Sequence, residues 1–110
     1  MINWNKESSF SDVINNNKIV IFEFGSESCG ACHSIRYKLS EWLEGVDGVE
    51  GYYVSVDENM ELAAELGIFT SPAVLVYVDG KLTVREAGYF GLEQIQRDVM
   101  RYRSLFEDSF

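Results

Sequence analysis

Residues 18–45, "KIVIFEFGSESCGACHSIRYKLSEWLEG", change their hydrophobic period part-way along. The opening "KIVIFEF", 18–24, is dense in β-branched and aromatic residues, as a buried central strand is, with one acid, Glu23, lodged in it. From Cys29 onward Ile35, Leu39, Trp42 and Leu43 recur at helical spacing, and Gly45 stops the run. At the junction stand both cysteines of the chain and its only histidine, as Cys29-Gly30-Ala31-Cys32-His33. As a bare pattern this admits three chemistries: a redox dithiol at a strand–helix junction, covalent haem attachment through C-x-x-C-H, or part of a metal site.

Upstream, Ile2 and Trp4 suit a short edge strand, and Phe10, Val13 and Ile14 at i, i+3, i+4 predict a helix over 8–15. Downstream, "GYYVSV", 51–56, predicts a second inner strand. "ENMELAAELG", 58–67, predicts a short helix with Leu62, Ala63 and Leu66 inward and Gly67 as its stop. "AVLVYV", 73–78, predicts a third inner strand. Asp79-Gly80 is a two-residue hairpin signal, so "KLTVREA", 81–87, should pair with it antiparallel. Leu92, Ile95, Val99, Tyr102 and Phe106 stripe a final helix over about 91–107. The order β-α-β-α-β-α-β-β-α is that of an α/β chain. Its first half requires parallel crossovers and its second half is a hairpin plus a helix. A central mixed β-sheet with helices on both faces follows.

No repeat, low-complexity tract or linker interrupts this order, and 110 residues fit a single domain, 1–110. With 46% hydrophobic and 14% aromatic residues the chain can build a core without a metal or disulfide staple. Its formal net charge of −9 repels phosphate backbones and anionic lipid surfaces, so neither nucleic acid nor a membrane is an expected partner. "MINWNKESSF" has no basic run followed by an apolar one, so no secretory signal is expected and the expected location is cytoplasmic. In that compartment a lone cysteine pair is catalytic or metal-binding more often than structural.

The element order, with C-x-x-C at the end of the first central strand and a proline opening the third, resembles the thioredoxin family. "VIFEFGSESCGAC" is similar to that family's strand and active-site loop, "LGIFTSPAVLVY" to its proline loop and strand, and "EAGYFGLEQI" to its glycine-containing edge strand and last helix. The resemblance implies a thioredoxin fold and a thiol–disulfide oxidoreductase that reduces protein disulfides, with a thioredoxin-reductase-like electron donor and no cofactor, acting as a monomer. Cys29, at the start of the helix, is the expected nucleophile. Free amides and the helix dipole favour its thiolate, and a thiol lowered from pKa ~8.5 to ~7 goes from about 3% to about half ionised at pH 7. Cys32, one turn on, is the expected resolving thiol. Glu23 is the expected buried acid that takes the Cys32 proton. Ser71 and Pro72, the latter expected cis, together with Gly88, Gly30 and Ala31, are the expected substrate-binding positions, the proline loop offering a free backbone edge to an extended peptide.

The chain departs from the family pattern in several places. Ala31 and Ser28 stand where proline and tryptophan are usual, Gly25 where a second aromatic is common, and Tyr53 where a lysine often neighbours the acid. His33, when protonated, could stabilise a thiolate; the reading preferred is a solvent-facing first-turn residue. Haem attachment finds no second histidine, and helix packing is expected to account for Met60 and Met100. One Cys pair and an adjacent His cannot close a zinc tetrahedron within one chain, though two chains pooling cysteines could hold an iron–sulfur cluster. The alternative from a different class is a thioredoxin-like binding module or holdase whose dithiol does not turn over.

Overall fold

The computed structural model describes residues 1–107; residues 108–110 of the expected 1–110 domain lie outside the described residues. Its elements run β1 (Ile2–Asn3), α1 (Phe10–Asn16), β2 (Ile19–Gly25), α2 (Gly30–Glu44), β3 (Val49–Ser55), α3 (Met60–Glu65), β4 (Ala73–Val78), β5 (Lys81–Ala87) and α4 (Leu92–Ser104). The order is the expected one. The sheet runs β1-β3-β2-β4-β5, with β1, β3 and β2 mutually parallel and β4 and β5 antiparallel.

Alternation along the fully buried β2 divides the core in two. Val20, Phe22 and Phe24 face Phe10, Val13 and Ile14 of α1 and Leu62, Ala63 and Leu66 at α3. Ile19 and Ile21 face Leu39 of α2 and Ile95 and Val99 of α4. Helices therefore cover both faces. Phe22 has ring centroids 4.5 Å from Phe10, 5.6 Å from Tyr52 and 5.8 Å from Trp4, and is fully buried. Truncating it leaves a cavity among these rings. Phe22→Ala is expected to cost about 3–5 kcal/mol, read from the urea midpoint at unchanged slope.

The turn Asp79-Gly80 has φ of 53° and 79°, the paired positive values of a type I′ hairpin. Val78 pairs with Lys81 as expected, and a bulge between Val76 and Tyr77 shifts the register beyond. Boundaries differ from the sequence expectation where hydrogen bonding overrides periodicity. β3 begins at Val49, two residues early, because Val49 pairs with Ile19. α3 is shorter than 58–67: Asn59 turns its side-chain amide to the Ser55 carbonyl at 2.8 Å, and Gly67 at φ 69° closes the far end. α4 starts after Gly91, its extended N-cap, and beyond Ser104 the chain tightens into i→i−3 bonds.

One expectation fails. Met60 and Met100 are not packing residues: they are 71% and 41% exposed. Met60 opens the short α3 on its outer side. Met100 lies one position past the buried Val99, about 100° around the helix from the apolar stripe.

Candidate active site

β2 ends at Gly25, and its carbonyl accepts the Val56 amide at 2.9 Å, fixing the exit of β3 beside it. Phe24 pairs with Ala73, so Gly25 and Pro72 end adjacent strands at the same end of the sheet. The Ser71–Pro72 bond is cis. Gly88, at φ 80°, donates its amide to the Pro72 carbonyl at 2.8 Å, which brings the end of β5 to the same place. The cysteine loop, the proline loop and Gly88 are thereby gathered at one end of the sheet.

Cys29 is the N-cap of α2. Its backbone is extended (φ −94°, ψ 101°), and its Sγ accepts the Cys32 amide at 3.1 Å. A sulfur in that position takes one of the orphan amides of the helix start and lies on the positive end of its dipole, so its ionised form gains most. The two sulfurs are joined as a disulfide. Cys32 is fully buried, whereas Cys29 is partly exposed, so an incoming group meets Cys29 first. Gly30 and Ala31 are exposed in the first turn, Ser71 is half-buried and Pro72 is buried. His33 is exposed, and its Nε2–H donates to the Glu27 carbonyl at 2.9 Å.

Glu23 does not reach solvent. It is fully buried, neither carboxylate oxygen has a hydrogen-bond partner, and burial pushes its pKa up to about 8 against the opposing pull of the Arg36 guanidinium. It lies on the α2 side of the sheet, register partner of Tyr53 on β3. Above them α2 presents Cys32 and Arg36, four residues apart and so on one helix face. The Arg36 guanidinium lies 4.1 Å from the centroid of the Tyr53 ring and donates to Asn3 Oδ1. A Cβ placed on Gly25 would stand 2.5 Å from the Tyr53 hydroxyl, 2.8 Å from Cys32 Cβ and 3.0 Å from Cys32 Sγ, so only glycine fits there. Sequence reasoning missed Arg36. Its i+4 spacing from Cys32 was the available signal.

A groove of about 300 Å³ runs from Val56 and Met60 past Ile68 and Phe69 to Ser71. Phe69, in the approach to Pro72, and Tyr89, just after Gly88, are largely exposed. Among the described residues no cluster of three or more His, Cys, Asp or Glu side chains is arranged to hold a metal ion, and no helix is long and apolar enough to cross a membrane.

The family model described as Thioredoxin matches residues 1–101. The chain belongs to the thioredoxin family. This family member is 25% identical over 99 residues to the thioredoxin-like protein YdfQ of Bacillus subtilis, covering 90% of this chain and 88% of that one. It is 29% identical over 94 residues to the thioredoxin of Alicyclobacillus acidocaldarius, covering 84% and 90%. The oxidised thioredoxin of Plasmodium falciparum superposes with a TM-score of 0.77 at 25% identity, over 90% of this chain and 97% of that one. With its bonded cysteine pair on this scaffold, the thioredoxin-family chain is a protein thiol–disulfide oxidoreductase.

Proposed function

We propose that the chain reduces protein disulfides, with Cys29 as nucleophile, Cys32 as resolving thiol and Glu23 as the group that takes the Cys32 proton. The observation that carries the reading is the Cys32 amide aimed at Cys29 Sγ from the first turn of α2. In the reduced protein the Cys29 thiolate attacks one substrate sulfur, the substrate S–S bond breaks, and the departing sulfur takes a proton. The Cys32 thiolate then attacks Cys29 Sγ, closing the Cys29–Cys32 disulfide and releasing the second substrate thiolate. Glu23, titrating at about 8, exchanges protons near the pH at which this step must run.

The substrate's extended segment lies along the Ser71–Pro72 backbone, framed by Gly88 and by the exposed Gly30-Ala31 turn. The groove ending at Ser71 takes its apolar side chains. The chain works as a monomer in the cytoplasm, with a reductase of the thioredoxin-reductase kind returning electrons to the disulfide.

Insulin reduction with dithiothreitol as donor tests the turnover. Equilibration of the Cys29–Cys32 couple against glutathione tests its direction: a potential below the glutathione pool is expected, and one well above it makes the chain an oxidant or sensor instead. Partner binding that is equal in wild type and Cys29→Ser, with no turnover in either, makes it a binding module.

A further inference from the structure

The space beside Cys32 is shared by Gly25 and Tyr53 in a way the dithiol reaction described above does not use. Any side chain at position 25 would strike the Tyr53 hydroxyl at 2.5 Å, and the same point is 3.0 Å from Cys32 Sγ. The phenol oxygen and the sulfur are therefore no more than about 5.5 Å apart, both bordering the space a side chain at 25 would fill. Tyr53 is only 6% exposed. The ring is held from above by the Arg36 guanidinium at 4.1 Å, which also places a positive charge next to the phenol. On the adjacent strand its register partner is the buried, unpartnered Glu23.

In the disulfide state Cys32 Sγ is a poor acceptor. Once the Cys29–Cys32 bond is open, the same sulfur carries a proton or a negative charge, and a donor close by stabilises the charged form. We propose that the Tyr53 hydroxyl, lodged in the space Gly25 leaves empty, donates a hydrogen bond to the Cys32 sulfur during resolution and holds it as the attacking thiolate. This rests on the reading of Cys32 as the resolving thiol. The Cys32 proton passes to the Glu23 carboxylate, and the Cys32 electron pair forms the bond to Cys29 Sγ. The bond from Cys29 to the substrate breaks, its electron pair leaving on the substrate sulfur. The tyrosine keeps its own proton throughout. The substrate disulfide is the only oxidant required. Glycine at 25 is the steric condition for the arrangement, and Arg36 keeps the ring in place.

Tyr53→Phe removes the hydroxyl while keeping the ring and its contact with Arg36. The reduced protein is mixed with excess dithionitrobenzoate in a stopped-flow instrument. The first release of thionitrobenzoate reports attack by Cys29, and the second reports resolution by Cys32. The variant is expected to slow the second phase about tenfold or more at pH 7, the worth of one hydrogen bond to a charged group, and to leave the first phase unchanged. The pH midpoint of the second phase is expected to move up. Its pH profile is read with Glu23, Arg36, Glu27 and Asp57 intact, since these charges face the phenol. A second phase in Tyr53→Phe with wild-type rate and midpoint, or equal slowing of both phases, overturns the proposal. Cys32→Ser separates the two layers: if it does not halt the reaction at the mixed disulfide, the resolving assignment itself fails. If it does halt it there and Tyr53→Phe changes nothing, only the role of the phenol fails.

Discussion

Cys29→Ser is expected to lower insulin reduction by roughly 10³-fold or more, to the rate of dithiothreitol alone. The hydroxyl of serine fits the N-cap as well as sulfur does and accepts the Cys32 amide in its place, so the helix start and the fold are retained. The nucleophile is lost: at neutral pH a serine hydroxyl carries essentially no negative charge, and disulfide exchange proceeds through the thiolate. Cys32→Ser has a different signature. Attack by Cys29 remains, resolution does not, and a covalent adduct between Cys29 and the substrate accumulates, visible as a mass shift removed by reductant. Residual turnover in Cys29→Ser above the reductant background would place the nucleophile elsewhere and undo the proposed order of events.

Glu23→Gln is expected to make the protein more stable at high pH and no different at low pH. In the unfolded chain Glu23 loses its proton near 4.5, and in the folded protein it keeps it to about 8. Between those values the folded state binds more protons than the unfolded one, so raising the pH favours unfolding. Below about 4.5 both states are protonated and the group contributes no pH dependence. Above about 8 both are ionised and the loss is complete. At 1.36 kcal/mol per unit, the difference between those two values corresponds to about 3–5 kcal/mol. Glutamine is neutral throughout. Urea unfolding of wild type and variant is expected to coincide at pH 4 and to separate progressively, with the full gap reached by pH 9. Curves that stay parallel would mean that the carboxyl is not held protonated by burial. The same substitution removes the proposed proton acceptor, so the more stable variant is also expected to resolve mixed disulfides more slowly, a trade of stability for chemistry at one buried position.

The two experiments draw on unequal parts of what the chain discloses. The placement of Cys29 at a helix start was legible because a helix start is local: a strand-period run, a short polar loop and a helix-period run bracket the residue, and its capping geometry follows. The hairpin at Asp79-Gly80 was legible for the same reason. Met60 was misread because a six-residue helix has too few turns for its period to say which side is covered. Glu23 was recognisable as an acid inside a strand. Whether any neighbour would satisfy its oxygens depended on side chains from other elements, and none does.

Taken alone, the amino-acid order determined the sequence of elements, the two-faced sheet, the position of the dithiol at a helix start and the strand that carries the acid. All of these rest on periodicity and turn chemistry within a few residues. Only the tertiary structure decided what surrounds Cys32. The parallel register of β2 with β3 sets Tyr53 against Glu23, thirty positions away, and the packing of α2 lowers Cys32 and Arg36 onto that pair. The empty place at Gly25 acquires its meaning there, because a missing side chain is informative only when something else occupies its volume.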